Sequence, residues 1–417
     1  MIALLLALIP AAGQLADAQG NYALPVGEWR AWLDCPGGDL PFNFTLEGVP
    51  GAYTVSLLNG SEKIPVTEFS ATVAKDVRLG FPHYDSEIIA KTGIEGARLD
   101  GTWRKRRGPN TWVEMPFHAT SGQAGRFPPG GEGFELDAAA WTGRWSVQFA
   151  GSPDPAVGNF FVRADDLAQG TFLTTTGDYR FLAGRVKENQ LWLSTFDGAH
   201  AFLFRAGLQP DGSLQGDFWS DSAYHETWTA RLDPDATLPD PFAEVAPAAD
   251  APALSTLKFR DLDGVEHALD DPAFAGKVRV ISLFGSWCPN CNDEARLWSE
   301  LHARYAEKGL SIVSLGFELT GEAQRDTELL RRFRDRHNVR WPLLLGGVAD
   351  KEAAARALPL LTRVKAFPTA IFLDAQGKVR AVHSGFAGPA AGVEHERQRL
   401  HYERIIEELL AEAATLR

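Results

Sequence analysis

Five consecutive residues, Trp287-Cys288-Pro289-Asn290-Cys291, carry the most specific chemistry in this sequence. Two thiols separated by two residues can close into a disulfide and reopen, so the pair is a candidate two-electron switch. Its setting sharpens that reading. The apolar run from Val278 to Phe284 reads as a strand, and residues 291–308 read as a helix ended by Gly309. A cysteine at the start of a helix faces unpaired backbone N–H groups and the positive end of the macrodipole, and both favour thiolate over thiol. Cys288 is therefore the expected attacking sulfur. Cys291, one turn later on the same face, is placed to resolve a mixed disulfide. Pro289 fits the first turn, where its missing N–H costs nothing. Pro289 and Asn290 together form the dipeptide that tunes the couple. Glu294, three residues after Cys291, falls close to the cysteine face and could accept and return protons for Cys291. Trp287 is placed to shield the sulfur from water.

Other chemistry for the pair is less well supported. Zinc would need two further ligands nearby, and the third cysteine, Cys35, is remote in the sequence. No metal or organic cofactor is expected. An inert structural disulfide would not call for the helix-start placement. Three cysteines are too few for a disulfide framework, and Cys35 reads as a small buried apolar side chain. A net charge of −13 argues against a nucleic-acid or anionic-membrane partner. The one basic cluster, Arg104-Lys105-Arg106-Arg107, reads as a solvated hairpin tip.

The elements that must position the pair follow from periodicity. After the first helix come a strand at residues 310–315, a helix near 324–337, a strand at 342–345, a short helix after Asp350, a hairpin of residues 370–373 and 378–382, and a terminal helix. The opening strand, helix and strand form a βαβ unit. Three further stretches stand out: Phe367-Pro368-Thr369 just before a strand, Phe372-Leu373-Asp374-Ala375-Gln376-Gly377-Lys378-Val379, and Gly385-Phe386.

With the Trp-Cys-x-x-Cys motif and Glu294, these stretches make residues 256–391 resemble the thioredoxin superfamily, specifically its TlpA and ResA-like extracytoplasmic disulfide reductases. The resemblance implies a cis peptide at Phe367-Pro368 beside the sulfurs. There the backbone of Phe367 could pair with an extended substrate segment, while the proline ring keeps other donors away. Thioredoxin places a buried acid on the strand six residues before its first cysteine. This chain has Ser282 there, which makes Glu294 the better acid-base candidate.

The fold class expected is multidomain: an all-β N-terminal region followed by an α/β thioredoxin-fold domain at residues 256–417. Residues 1–18 read as a signal peptide, since an apolar run precedes Ala16-Asp17-Ala18 and is too short to span a bilayer. Beyond it, no transmembrane segment is expected. Residues 238–255, rich in Pro, Ala and Asp, read as a semi-extended linker. The β-rich region divides into repeats at 19–135 and 136–237. Gly27-Glu28-Trp29 matches Gly143-Arg144-Trp145, and Thr111-Trp112 matches Thr227-Trp228, both at a spacing of 116 residues. Gly101-Thr102-Trp103 matches Gly216-Asp217-Phe218 within one residue. Two antiparallel meanders or barrels are predicted, with an opening similar to that of lipocalin-like barrels, and with aromatic side chains filling the interiors rather than lining a ligand cavity.

These readings converge on a periplasmic thiol:disulfide oxidoreductase, a reductase by resemblance, with Cys288 as nucleophile, Cys291 as resolving thiol and Glu294 assisting. The resemblance also implies a membrane thiol transporter of the DsbD or CcdA type as electron donor and a disulfide-bonded envelope protein as substrate. Cytochrome c biogenesis is one compatible setting. A peroxiredoxin-like thiol peroxidase, with antioxidant activity, is the rival, although Gly285 stands where those enzymes carry Thr or Ser. A ligand- or partner-binding protein with an auxiliary redox domain is a third reading. Pro289-Asn290 differs from thioredoxin's Gly-Pro and leaves the direction of electron flow open.

Overall fold

A computed structural model describes residues 22–123, 125–129, 135–274 and 278–415. The expected signal peptide lies outside the described residues. The fold is multidomain, with an all-β N-terminal region and an α/β C-terminal region.

Two antiparallel meanders build the β region. The first is a nine-stranded sheet that runs from Gly27–Cys35 to Trp112–Ser121, these two strands pairing with each other, and leaves Glu62–Val66 and Glu68–Ala71 as its edges. The second begins at Gly143–Phe149 and ends at Tyr224–Leu232, which pair likewise. It closes into a barrel because Ala156–Val162 also pairs with Leu167–Thr174. Alternation along the strands fills both interiors: Trp29, Trp103, Trp145 and Trp228 are among the largest fully buried side chains. In the second barrel the Phe172, Phe204 and Phe218 rings succeed one another at 4.5 and 4.4 Å, leaving the interior packed with aromatic rings.

The repeat holds in the structure at the two Gly-Trp openings, and differently at the closing strands. Gly101 pairs with Phe117 and Gly216 with Trp228. A Cβ on either glycine would stand 2.1 Å from Ile89 O or 2.3 Å from Arg205 O, so neighbouring strands approach too closely there for any side chain. Phe117, not Trp112, therefore occupies the position of Trp228, and Trp112 points outward.

The basic cluster lies at a hairpin turn but is docked rather than solvated. Arg107 and Lys105 pair with the fully buried Asp221 of the second barrel at 2.5 and 3.5 Å, and Lys105 also donates to Ala199 O at 2.6 Å. The two meanders share a core in which Phe196 of the second stacks on Phe42 of the first at 4.3 Å. Cys35 is buried at this junction, as the sequence predicts.

The C-terminal sheet orders its strands as Glu266–Ala268, Lys258–Asp261, Leu343–Val348, Leu310–Glu318, Val278–Phe284, Thr369–Leu373 and Val379–Ser384. The three central strands before Thr369–Leu373 are parallel, and the remaining pairings are antiparallel. Helices α1 (Pro289–Tyr305), α2 (Ala323–Arg336), α3 (Lys351–Ala357) and α4 (Val393–Thr415) cover it. Alternation separates the faces. Val280, Ile312 and Phe372 pack with Trp298 of α1, Phe333 of α2 and Ile406 of α4, whereas Ile281, Val313 and Ile371 pack with Ala354 of α3.

Residues 238–255 do not form a free spacer. Val245 is buried in the core on the α3 face, Ala248 N–H donates to Leu360 O at 2.9 Å, and Thr362 N–H donates to Ala246 O at 3.0 Å.

Candidate active site

The site forms where the central strand Val278–Phe284 runs out at its C-terminal end and turns into α1. Gly285 makes the turn possible: a Cβ there would stand 2.2 Å from Trp287 Nε1, because the indole folds back over it. That indole donates to Phe317 O at 2.9 Å and meets the Phe367 ring edge-on at 6.1 Å. Cys288 is the N-cap of α1, and its sulfur accepts from the Cys291 backbone N–H at 3.3 Å. Pro289 is the first helical residue. Cys288 is 7% exposed and Cys291 1%, and both thiols are free.

The Phe367-Pro368 peptide is cis. It brings Phe367 O within 3.6 Å of Cys288 Sγ, so this carbonyl accepts from the thiol. Pro368 O accepts from Gly385 N–H at 2.9 Å. Thr369 is buried, and its hydroxyl donates to Ala366 O at 2.7 Å, which holds the loop.

Glu294 is fully buried on α1. Its oxygens accept from Ser282 Oγ and Tyr402 OH, each at 3.1 Å. Burial pushes its carboxyl up to about 7 despite those two donors. Burial likewise pushes the Cys291 thiol well above its ordinary value, and the Cys288 sulfur and the Glu294 carboxylate add to the effect.

Several supporting residues carry no local sequence signal. Glu318, at the end of the strand Leu310–Glu318, accepts from Ser286 N–H at 2.9 Å and Ser286 Oγ at 2.7 Å; burial pushes its carboxyl up to about 8. Asn292 donates to Ser286 O and Cys288 O at 3.0 and 2.9 Å, and its own carbonyl oxygen contacts His337 Nε2 at 2.7 Å. Together they fix the backbone on both sides of Cys288. Ser286, two residues before Cys288, and Asn292, directly after Cys291, are polar neighbours of the pair, whereas Glu318 and His337 lie far along the chain.

A buried charge cluster joins this motif to both β units. Arg180 of the second barrel ion-pairs with Asp293 of α1, with Asp197 at 3.3 Å and with Glu62 of the first sheet at 3.2 Å. Arg180 adopts a left-handed backbone, φ 63°, which is uncommon for a residue with a side chain. His83 of the first sheet meets Arg336 of α2 at 2.8 Å.

Comparison with known proteins covers this same part of the chain. The Redoxin family matches residues 246–395. The C-terminal region belongs to the thioredoxin superfamily. Its relatives include the thiol-disulfide oxidoreductase ResA of Geobacillus thermodenitrificans, 28% identical over 125 residues, which are 30% of this chain and 63% of that protein. The thioredoxin-like protein YneN of Bacillus subtilis is 26% identical over 127 residues, 30% of this chain and 66% of that one. The chain thus spans somewhat under two thirds of the length of these relatives. Among solved structures, a thioredoxin-family thiol:disulfide interchange protein of Chlorobium tepidum aligns at a TM-score of 0.29 and 19% identity, over 40% of this chain and 99% of that one. This thioredoxin-superfamily region is TlpA/ResA-like. No described helix is long and apolar enough to cross a membrane.

Proposed function

We propose that the protein is a periplasmic thiol:disulfide oxidoreductase that reduces disulfides of envelope proteins by dithiol exchange. The observation that carries this reading is the placement of Cys288 at the N-cap of α1, with Cys291 buried one turn behind it and the buried carboxyl of Glu294 on the same helix. Cys288 thiolate attacks one sulfur of a substrate disulfide, forming a mixed disulfide and releasing the other sulfur as a thiolate that takes a proton. Cys291 then passes its proton to Glu294 and attacks Cys288 Sγ. The second substrate thiol leaves, two electrons have moved to the substrate, and the Cys288–Cys291 disulfide remains. A carboxyl pushed up to about 7 both accepts and returns that proton at neutral pH.

Trp287, Pro289, Phe367 and Pro368 shape the surroundings of Cys288, and the buried Thr369 holds the loop that carries Phe367 and Pro368. Recharging the pair in an oxidising compartment requires a thiol donor, for which a DsbD- or CcdA-type transporter is the class proposed. The β units join the site through Asn290 and Asp293, which supports a role for them in positioning the redox centre. Asn290 and Pro289 set the couple's potential from between the two sulfurs.

Equilibration in graded thiol buffers, with alkylated Cys288 and Cys291 counted by peptide mass, tests the proposal. A potential near about −270 mV supports a reductase, and one near about −120 mV makes the protein an oxidant. Failure of the disulfide to form at any ratio overturns the assignment.

A further inference from the structure

The dipeptide between the two cysteines is held from outside its own domain. Asn290 Nδ2 donates to Asp178 Oδ1 at 3.1 Å and to Phe386 O at 3.0 Å. Asp178 lies in the short strand Gly177–Asp178, an appendage of the second barrel. The same Oδ1 accepts from Gly388 N–H at 2.7 Å, and Asp178 Oδ2 accepts from Arg180 N–H at 3.2 Å. The approach of the two domains is close. A Cβ on Gly177 would stand 2.2 Å from Asn290 Nδ2, and one on Gly385 would stand 2.8 Å from the carbonyl carbon of Thr176. A backbone bridge joins Gly177 to Phe386. The Arg180–Asp293 ion pair fastens the same barrel segment to the first turns of α1.

We infer that Asp178, acting through Asn290, is a positioning residue that biases the Cys288–Cys291 couple toward its dithiol form. The inference rests on the dithiol-exchange reading. When oxidised glutathione closes the pair, the two thiols give up two electrons and two protons, an S–S bond forms, and two glutathione thiols are released. The sulfurs must draw together, and the first turn of α1, which carries Asn290, must adjust. In the structure both thiols are free, and Cys291 N–H donates to Cys288 Sγ at 3.3 Å. Asn290 is held in that geometry by a carboxyl oxygen on one side and a carbonyl on the other, both buried, so leaving it costs hydrogen bonds that have no water to replace them. The redox equilibrium of one domain is thereby set in part by a side chain of another.

The test compares full-length wild type, Asp178→Ala, Asn290→Ala and the double variant in glutathione buffers, counting alkylated Cys288 and Cys291 by peptide mass. Asp178→Ala is expected to raise the equilibrium constant for disulfide formation about fivefold, the effect of one buried hydrogen bond. That increase should vanish in the Asn290→Ala background. A constant unchanged by Asp178→Ala, or an equal shift in both backgrounds, overturns the inference. Should Asp178→Ala fail to fold, Asp178→Asn keeps the shape, and a smaller shift of the same sign is expected; no shift again overturns it. A wild-type protein that forms no Cys288–Cys291 disulfide overturns the exchange reading itself, an outcome distinct from an unshifted variant.

Discussion

The hydroxyl of Ser282 donates to the carboxyl of Glu294 at 3.1 Å, across the space between the central strand and helix α1. Ser282 stands at the strand position where thioredoxin carries its own buried acid. Here the helix supplies the acid and the strand supplies its hydrogen-bond donor, with Tyr402 of α4 as a second donor. The carboxyl stays in the buried region behind the cysteines, although it comes from a different element.

Glu294→Gln is expected to leave attack by Cys288 on a model disulfide intact while slowing resolution by Cys291 about a hundredfold at pH 7. Rapid-mixing measurements with acid trapping of the mixed disulfide separate the two steps. Equal resolution rates in variant and wild type would remove Glu294 from the mechanism.

Stability should fall between about pH 6.5 and pH 8. Glu294, Glu62 and Glu318 are raised to about 7, 7 and 8, chiefly by burial, so the folded state holds their protons where the unfolded state has lost them. Their contribution is fully present below the ordinary carboxyl value of 4.5 and is lost progressively as pH rises from there through 7 to 8. His83, His337 and His383 are lowered from 6.5 to about 3, again by burial, and stability from them is lost as pH falls below 6.5. The two sets oppose each other below pH 6.5, so Tm measured from pH 5 to pH 9 should change little at first and fall above about pH 6.5. A Tm that climbs steadily to pH 9 contradicts this account.

Removing the Arg180 guanidinium by Arg180→Ala leaves Asp197, Asp293 and Glu62 without their shared cation in a buried cluster. The expected loss is about 3–5 kcal/mol in denaturant unfolding, as for other broken buried ion pairs. A loss below about 1 kcal/mol would mean that water or protonation compensates the cluster.

Gly285→Ala drives a methyl group into the Trp287 indole and should break its hydrogen bond to Phe317 O. A loss of about 1–3 kcal/mol is expected, together with faster alkylation of Cys288 by iodoacetamide. Unchanged alkylation would show that the indole does not screen the sulfur.

What could be read from the sequence was whatever short spacings encode. The CxxC pair, Pro289 at the helix start, Glu294 and Phe367-Pro368 are all local patterns, and the C-terminal elements follow from hydrophobic periodicity. The partners of Asn290 and Asp293 were not legible, because Asp178 and Arg180 are more than a hundred residues away and reach the site only through docking of the domains. Arg104-Lys105-Arg106-Arg107 misled for the same reason: a run of basic residues is ordinarily solvated, and nothing nearby announces the buried Asp221. Trp112 misled because sequence spacing does not track strand register, which Gly101 opposite Phe117 and Gly216 opposite Trp228 reveal.

The packing of Val245 into the α3-side core has a mechanical consequence. With Ala246 and Ala248 hydrogen-bonded to Thr362 and Leu360, the Pro- and Ala-rich stretch gives no slack between the β units and the redox domain. A C-terminal fragment begun at residue 256 would lose a hydrophobic plug from its own interior, whereas one begun at residue 238 would keep it. The stretch is a hem sewn to the sheet it was expected to tether.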